Sequence, residues 1–415
     1  MAEFTKILRG NEKDLTKRTI LKRGILSLQH FVAMFGATIL VPLLTGFDPL
    51  VTLFAAGCGT LIFHFVTGLK VPVFLGSSFA FIAPIMAVKE QYGDLSYASG
   101  AIMIAGLVYL LFSLIVKLMG YDILKKLFPT TVTGTMIIII GLSLAPTAMN
   151  MSSSNWVISI STLITVVIFS TFFKGFLSMI PVLMGVLIGY LISVITGNVD
   201  FTAVTTSSWV SIPSFSLPKF SLDAISVTVP LVLATFMEHI GDITTNGAVV
   251  GKNFFKDPGL HKTLLGDGIA TAFAGFVGAP ANTTYSENTG VLAITKNYDP
   301  SIIRGAAFLA IIFSFLSKFG AILSTIPEAV IGGIGLMLFG MISSTGIRTI
   351  VNDNVDFSNS KNICIVSIML TTGLSGIAIK LGNVEFKGVA LAAIVGIILN
   401  LIIPDLNKKA KKDKI

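Results

Sequence analysis

The sequence contains 415 residues, of which 53% are hydrophobic and 12% are charged. Because soluble globular proteins carry about 25% charged residues, this composition excludes an ordinary soluble domain. The formal net charge is +8, but the basic residues lie in the tails and in short connections between apolar stretches, which is typical of membrane topology and not of a nucleic-acid-binding surface. We therefore expect a polytopic helical membrane protein that resides in a lipid bilayer and binds no nucleic acid.

Uncharged stretches recur along the chain, and each is close to the roughly 20 residues that a helix needs to cross a hydrocarbon core. They divide the chain into fourteen predicted spans, which start near residues 24, 50, 72, 97, 124, 156, 176, 223, 263, 286, 303, 328, 362 and 387. Most of the 29 basic residues then lie in the two tails and in alternate connections. The positive-inside rule assigns that side to the cytoplasm, so both termini are expected there.

Three short motifs recur in the same order in the two halves of the chain. They are Leu28-Gln29-His30 with Met237-Glu238-His239, Gly76-Ser77-Ser78-Phe79 with Asn282-Thr283-Thr284-Tyr285, and Pro129, Val132 and Gly134 with Pro327, Val330 and Gly332. Any one match would be chance, but three in order indicate a duplication. Because each half holds seven predicted spans, an odd number, the second copy must enter the membrane in the opposite sense. Such inverted repeats place a substrate site near the middle of the bilayer.

Each copy contains one short, interrupted span, preceded by PVFLGSSF in the first and by APANTTY in the second. Since Thr, Tyr and Phe favour extended backbone and Ser, Thr and Asn favour helix N-caps, we expect an extended segment leading into a half-helix that begins near Ser78 and Ser286. Two helix N-termini would then present free N–H groups to one cavity. An ordinary loop at the membrane surface is the alternative. The predicted fold class is an all-α polytopic membrane protein, with fourteen transmembrane segments in two inverted seven-segment repeats and two such extended segments.

Three acidic residues lie inside apolar stretches: Glu238, Asp242 and Glu287. A carboxylate at the centre of a membrane helix costs about 2.5 to 3.5 kcal/mol to insert, so its presence points to function. Glu238 and Asp242 are four residues apart and share one helical face. A buried carboxyl group can exchange a proton near neutral pH, so we expect proton coupling at Glu238 and Asp242. His239 and its counterpart His30 are expected to take part in this coupling and to shape the site. A polar cluster that only ties helices together is the alternative.

Aromatic and polar side chains complete the predicted pocket. Phe79 and Tyr285 occupy equivalent positions on the two extended segments, and two rings facing one cavity suit a flat ligand. Asn282, Thr284 and Asn288 are expected to support the break in the helix. Aromatic faces, backbone donors and carboxyl groups fit a planar heterocycle with alternating N–H and C=O groups better than a sugar, a large anion or a lipid.

Other titratable residues receive plainer interpretations. His64 is expected at the membrane interface, Arg304 in a cytoplasmic connection, and Asp267 near the cytoplasmic end of its span. The two cysteines, Cys58 and Cys364, are expected to be packing residues, which leaves no disulfide and no metal site. No zinc-ligand spacing such as HExxH and no nucleophile elbow is present, so we expect neither an enzyme nor a cofactor.

The run ENTGVLAITK, residues 287–296, resembles the signature of the nucleobase/ascorbate transporter (nucleobase:cation symporter-2) family: Gln or Glu, Asn, any residue, Gly, four variable positions, Thr and a basic residue. The Gln29-His30 pair, LGSSFAFIAP from Leu75, Glu238-His239-Ile240-Gly241 and ANTTYSEN from Ala281 are also similar to that family, and to its bacterial uracil permeases in particular. The similarity extends from about residue 20 to residue 404.

The resemblance implies a core domain of spans 1 to 4 and 8 to 11, and a gate domain of spans 5 to 7 and 12 to 14. In this chain the boundaries are a cytoplasmic tail 1–23, core 24–119, gate 120–196, an extracytoplasmic loop 197–221, core 222–325, gate 326–404 and a basic cytoplasmic tail 405–415. It also implies proton-coupled uracil import across a bacterial-type cytoplasmic membrane, and a homodimer through the gate domain.

Carried over residue by residue, the resemblance implies that Glu238 and Glu287 bind the pyrimidine ring from opposite half-helices. Tyr285 would help enclose the ring, and the helix starts at Ser78–Phe79 and Ser286 would contact its carbonyls. The chain departs from the uracil permease pattern, which has His at the position of Asp242 and Gly at that of Ser286. Because Asp at the first of these positions also occurs in purine-transporting relatives, a purine or xanthine symporter is the alternative. An anion exchanger of the same fold is disfavoured by the two carboxyls.

Overall fold

In a computed structural model, the chain is described over residues 17–120, 128–381 and 384–404. The predicted span start near residue 124, most of the predicted cytoplasmic tail 1–23 and the basic tail 405–415 lie outside these ranges. The helices of the first half are α1 (Lys17–Thr45), α2 (Pro49–Val66), α3 (Ile82–Tyr92), α4 (Ser96–Met119), α5 (Thr130–Ser153), α6 (Trp156–Thr171) and α7 (Pro181–Ile195). Those of the second half are α8 (Thr202–Thr206), α9 (Leu222–Thr228), α10 (Val232–Val250), α11 (Leu260–Val277), α12 (Ser286–Thr295), α13 (Pro300–Ser314), α14 (Ser317–Ser324), α15 (Glu328–Asn352), α16 (Ser360–Leu374) and α17 (Gly388–Ile402). The strands are β1 (Leu75–Ser77), β2 (Asn282–Thr284), β3 (Ala378–Leu381) and β4 (Val384–Lys387).

The helices have the length and hydropathy of a membrane protein. Among the described residues, α1, α2, α4, α5, the joined pair α9 and α10, and α15 are each long and apolar enough to cross a membrane. The pair α13 and α14, which is bent by 82°, forms a seventh such unit, and four further apolar helices are shorter. The predicted all-α membrane architecture is confirmed, whereas the count of fourteen spans stays a prediction.

Local chemistry sets two of the helix starts in the same way. Asp48 caps α2 by accepting a hydrogen bond from the backbone N–H of Leu50 at 2.7 Å, and Pro49 occupies the first turn. Asp299 caps α13 by accepting from Ser301 N–H at 2.9 Å, again with a proline next to it. An Asp side chain satisfies an N–H group that the helix leaves unpaired, and proline fits there because it lacks one.

Two extended segments interrupt the helices, as the sequence predicts. β1 and β2 pair antiparallel, with Leu75 opposite Thr284 and Ser77 opposite Asn282, and all their residues are buried. β1 passes through a short 3₁₀ turn into α3, and β2 leads into α12. Because pairing satisfies the backbone groups and protein surrounds them, such segments are tolerated at membrane depth. The alternative of a surface loop is wrong.

The third repeated motif marks two helices that pack on each other. Pro129 immediately precedes α5 and Pro327 immediately precedes α15. The two helices run antiparallel in close contact: a Cβ added at Gly134 would meet Ile350 and the backbone at Gly346. An antiparallel arrangement of equivalent helices is what an inverted repeat requires. α5 packs most extensively on α15, and α4 on α11, but the division into gate and core domains stays a prediction.

Two features depart from the predicted boundaries. α1 begins at Lys17, inside the predicted N-terminal tail. The strands β3 and β4 form an antiparallel hairpin between α16 and α17, which the sequence analysis did not anticipate. The hairpin is rich in residues that favour strands, including Ile379, Val384 and Phe386, but a run this short is hard to distinguish from the end of an apolar helix.

Candidate functional site

The face of α10 that carries Glu238 is open, whereas its opposite face is packed. Glu238, Gly241 and Thr245 are exposed, and Asp242 is half-buried. These positions recur at intervals of three and four residues and so lie on one side of the helix. His239 and Ile243, on the other side, are fully buried. An exposed carboxyl within an otherwise apolar span faces an internal, water-accessible space and not the core.

The three predicted carboxyls converge in this space. Glu238 and Glu287 are close enough to interact electrostatically, and Asp242 interacts with both. Glu287 is half-buried, as Asp242 is, and it belongs to α12, whereas the other two belong to α10. The hydroxyl of Thr284, at the end of β2, donates a hydrogen bond to the Asp242 carboxyl at 2.7 Å. The second half of the chain thus supplies all the acidic groups.

Both interrupted spans end in helix starts whose N-cap side chains form no capping hydrogen bond to the helix. Ser78 occupies the cap position before the 3₁₀ turn Phe79–Phe81, and its hydroxyl has no partner among the described residues. Tyr285 occupies the cap position of α12, whose first residue, Ser286, is exposed. The first N–H groups of a helix lack partners within it. Uncapped starts therefore leave donors for the acceptor atoms of a ligand.

The two equivalent aromatic residues lie in different surroundings. Phe79 is half-buried, so part of its ring is accessible. Tyr285 is 3% exposed, and its hydroxyl donates to the Ser77 carbonyl at 2.9 Å. A Cβ added at Gly76 would collide with the Tyr285 ring, so this ring packs over β1. Tyr285 supports the paired segments, and its contact with a substrate stays a prediction.

The two predicted histidines occupy packed positions. Asn288 donates through Nδ2 to the backbone carbonyl of His30 at 3.0 Å and lies 3.1 Å from its Nδ1. His239 Nε2 lies 3.0 Å from the hydroxyl of Thr263. α12 therefore holds His30 and α11 holds His239, and both imidazoles are buried in the protein beside the site. Their predicted part in proton coupling is not tested by this geometry.

Asp267, which was expected near the cytoplasmic end of its span and outside the site, lies next to the site. Its carboxyl is fully buried in α11 and lies 3.1 Å from Nδ1 of His239. It also interacts electrostatically with Glu238 and Asp242. The sequence holds one signal that points to it, because Asp267 is the only charged residue between Lys262 and Glu287. Its proximity to Lys262 in the chain made a position near the membrane surface the simpler interpretation.

Asn282 and Thr284, which were predicted to support the helix break, form hydrogen bonds to elements around them. Asn282 donates to the backbone carbonyls of Ala55 at 3.1 Å and Ala270 at 3.2 Å. Thr271 on α11 donates to the carbonyl of Asn282 at 2.9 Å. These hydrogen bonds tie the second segment to α2 and α11. Among the described residues, no group of three or more His, Cys, Asp or Glu side chains is arranged to hold a metal ion.

Two cavities flank α5 near its opposite ends. One, of about 450 Å³, continues from the open face of α10 and is lined by Gly241, Thr245, Thr130, Thr349, Asn352 and Asp353. The other, of about 630 Å³, lies between α3 and α5 and is lined by Met86, Lys89, Glu90, Ser143, Thr147 and Lys387. Each cavity separates an element of the predicted core from an element of the predicted gate.

Sequence comparisons assign most of the chain to one family. The model of a family described as "Permease family" matches residues 21–382. A protein named "Probable uracil permease" from Haemophilus influenzae is 44% identical over 402 residues, which cover 95% of this chain and 96% of that protein. The proteins named "Uracil permease" from Bacillus subtilis and Escherichia coli are 42% and 41% identical, over 92% and 91% of this chain and 93% and 90% of their own lengths.

Solved structures share the fold. The transmembrane domain of a cyanobacterium bicarbonate transporter, BicA, aligns with a TM-score of 0.64 and 17% identity over 93% of this chain and 98% of that chain. The murine anion transporter Slc26a9 in the inward-facing state aligns with a TM-score of 0.69 and 10% identity over 97% of this chain and 72% of that chain. At these identities the likeness concerns the fold alone. The family match over residues 21–382 and the identities of 41–44% lead to a firmer conclusion: the chain is a multi-pass membrane transporter, not an enzyme, and belongs to the nucleobase:cation symporter-2 family of permeases, as the resemblance predicted.

Proposed function

We propose that this chain imports uracil across a bacterial cytoplasmic membrane by proton symport and alternating access. The names of the relatives at 41–44% identity support uracil as the substrate. The observation that carries the proposal is the convergence of Glu238 and Glu287 on one internal space beside two uncapped helix starts. A planar base with alternating N–H and C=O groups uses all of these: an ionised carboxyl accepts from ring N–H, and backbone N–H groups donate to the carbonyls.

The cluster of carboxyls supports proton coupling. Glu238, Asp242 and Glu287 interact in one space inside the protein, and a bare charge is costly to carry through a membrane interior. A proton bound to Glu238 or Asp242 would remove one of these charges while the site reorients. A membrane potential of 100 mV contributes about 2.3 kcal/mol per proton, and each pH unit adds about 1.4 kcal/mol. Together, 100 mV and one pH unit allow one proton to sustain accumulation of a neutral base by about a few hundredfold.

The two cavities support alternating access. They lie near opposite ends of α5, and each has one wall from α10 or α3 and another from α5. Movement of the predicted core past the predicted gate would close one cavity as the other opens to Glu238 and Glu287. The open face of α10 continues into the cavity at Thr349 and Asp353, so the described conformation opens towards the side that the basic residues assign to the cytoplasm.

Uptake of labelled uracil into proteoliposomes tests the proposal. The wild type is expected to accumulate uracil when the outside is made acidic, and Glu238→Gln and Glu287→Gln are expected to lose this accumulation. Asp242→Asn tests the coupling proton separately from substrate binding. If this variant still exchanges uracil but no longer responds to the pH gradient, the coupling proton is assigned to Asp242. Gradient-driven uptake at wild-type rates in both glutamine variants would contradict the assigned roles.

A purine or xanthine remains the second candidate substrate, because Asp242 departs from the uracil permease pattern. Competition of labelled uracil uptake by unlabelled xanthine separates the two. Little inhibition at a hundredfold excess is expected for a uracil carrier, whereas strong inhibition would favour the purine branch.

The cytoplasmic position of the termini and a homodimer through the gate domain are also proposed. Single cysteines placed near each terminus are expected to resist an impermeant maleimide added to intact cells and to react after permeabilisation. A particle mass twice that of one chain in mild detergent would support the dimer. Reaction in intact cells, or a single-chain mass, would refute the respective proposal.

A further inference from the structure

His64 and Arg304 form a buried polar contact away from the carboxyl cluster. His64 lies in the last turn of α2 and is fully buried. Arg304, near the start of α13, is 3% exposed. His64 thus lies at the end of its helix but is packed inside the protein, and its position at the membrane interface stays a prediction. Arg304 lies within α13 and not in the connection where it was expected. The sequence concealed this because both residues stand near charged connections, and the burial arises only when α13 packs against α2.

The two partners of the His64 ring determine its tautomer. Nε2 lies 2.9 Å from the carbonyl oxygen of Val73, and because a carbonyl only accepts, Nε2 must carry the hydrogen. Nδ1 lies 3.4 Å from Nη1 of Arg304, and because a guanidinium group only donates, Nδ1 must be the acceptor. His64 is therefore neutral in this contact. It joins an arginine of the second repeat to the backbone just before β1 of the first.

His64 holds the turn between α2 and β1 at two points. Its backbone carbonyl accepts a hydrogen bond from Leu69 N–H at 2.7 Å, and its ring donates to Val73. Leu69 has a φ of 62°, a left-handed conformation that is unfavourable for a residue with a side chain. A turn that contains such a residue persists only where its surroundings hold it. β1 follows two residues after Val73 and leads directly to the helix start at Ser78.

Arg304 belongs to a helix that is itself anchored. The guanidinium of Arg23, on α1, forms an ion pair with Asp299 at the start of α13. It also donates to the hydroxyl of Ser301 at 2.6 Å. Asp299 interacts electrostatically with Arg304. The contact from Arg304 to His64 therefore connects β1 to a helix start that is tied to α1.

We infer that His64 and Arg304 are positioning residues of the transport site. Without touching the substrate, they fix the Val73 carbonyl, and through it β1 and the uncapped helix start at Ser78 and Phe79. Replacing His64 with an apolar residue removes the donor to the buried Val73 carbonyl, and replacing Arg304 removes the donor to the buried Nδ1 of His64. Each loss is expected to cost a free energy that corresponds to about a tenfold change in an equilibrium constant. The functional part of this inference rests on the proposed uracil transport, and the structural part does not.

The test compares His64→Leu with His64→Gln in purified protein. Leucine removes both ring contacts, whereas the glutamine amide offers one donor and one acceptor, as the neutral imidazole does. His64→Leu is expected to exchange amide hydrogens faster in residues 66–79, with unchanged exchange in α15, and to raise the KM for uracil about tenfold. His64→Gln is expected to restore both values to within about threefold of the wild type. His261→Leu, at a half-buried histidine on α11, is the matched control and should alter neither.

Arg304→Met provides the second arm. It should also make residues 66–79 exchange faster, and in that segment the double variant should exchange no faster than His64→Leu, because Arg304 acts on the segment through His64. Wild-type exchange and wild-type KM in His64→Leu would overturn the inference, as would failure of glutamine to restore them. If His64→Leu does not fold, Arg304→Met decides alone: unchanged exchange in residues 66–79 would overturn the inference.

The exchange measurement separates this inference from the proposed function. It is made without substrate, so it reports the positioning of β1 even if the wild type transports no uracil. If the wild type takes up no uracil but His64→Leu still exchanges faster, the proposed function is contradicted and the positioning role is supported. Normal uptake with unchanged exchange and KM would do the reverse.

Discussion

The two interrupted spans have the same backbone design but different chemistry. Each runs from a buried strand into a helix start without a side-chain cap. In the sequence repeat that pairs Phe79 with Tyr285, Glu287 of the second copy is aligned with Phe81 of the first. Glu287 faces the internal space with the other carboxyls, whereas Phe81 is 1% exposed within the apolar core.

This difference shows how a duplicated chain acquires an asymmetric site. The inverted repeat supplies the geometry twice, since two helix starts meet only if both copies break at the same place. The charge is supplied once, because a second set of carboxyls would add repulsion without a further partner on a small neutral ligand. In the proposed uracil site, the first copy would therefore contribute backbone donors and an aromatic face, and the second copy the acidic groups.

Introducing a carboxyl group into the first copy, at the position aligned with Glu287, should have the largest effect. Phe81→Glu would place an unpaired carboxyl in the core, which we expect to destabilise the fold by about 3 kcal/mol or more. Loss of monodisperse protein in detergent, or a large fall in melting temperature, is the readout. Phe81→Met, which keeps the volume, should cost less than about 1.5 kcal/mol. A stable, active Phe81→Glu protein would break the comparison.

Glu287→Gln should separate function from stability. The side chain faces a water-accessible space, so the fold should be unaffected. The loss of a charged hydrogen-bond partner is expected to lower kcat/KM for uracil by about ten- to a hundredfold. Melting temperature and initial uptake rates across a range of uracil concentrations measure the two effects. A fall in stability equal to that of Phe81→Glu would mean that Glu287 is structural.

Gly76 lies opposite Thr283 in the paired strands and tests how tightly the first copy is packed there. A Cβ at Gly76 would collide with the ring of Tyr285 and the hydroxyl of Thr38. We expect Gly76→Ala to destabilise the protein by about 1–3 kcal/mol, because an overpacked core must shift to accommodate the methyl group. Gly340→Ala is the control, since a Cβ there meets nothing within 4 Å. Equal melting temperatures for the two variants would show that β1 yields easily.

The smallest effect is expected at an exposed ion pair. It joins the loop after α3, which carries Asp94, to the connection between the two repeats, which carries Lys219. Lys219 donates to the Asp94 carboxylate at 2.8 Å. With the backbone N–H of Ser96, it lowers the pKa of Asp94 from 3.8 to about 2. A lowered carboxyl pKa contributes stability that is fully present above about pH 4 and is lost as the pH falls through about 2.

Melting of Lys219→Met and wild type should therefore differ slightly at neutral pH and converge near pH 2. The difference should also shrink in high salt, because exposed pairs are screened. A difference that persists at low pH would show that Lys219 acts through its contact with the Tyr97 ring and not through Asp94.

Much of the candidate site could be predicted from the sequence, because charged side chains are rare within membrane-spanning segments. Glu238, Asp242 and Glu287 were found from their charge within apolar stretches, and the helix breaks from Ser78 and from the polar run at Asn282. The roles of Tyr285 and His239 were less accessible, since an aromatic ring or an imidazole packs or binds equally well. Only the contacts to Ser77 and Thr263 show that both side chains are turned into the protein.

The sequence by itself determined the membrane architecture, the family and the residues that carry charge, because hydropathy and short motifs act locally along the chain. The tertiary structure decided which polar residues face the shared space and which hold it in place. Asp267, His64 and Arg304 all lie near charged connections in sequence, yet are buried by helices far away in the chain. Burial of this kind depends on packing between distant segments, and a pattern along one segment cannot reveal it.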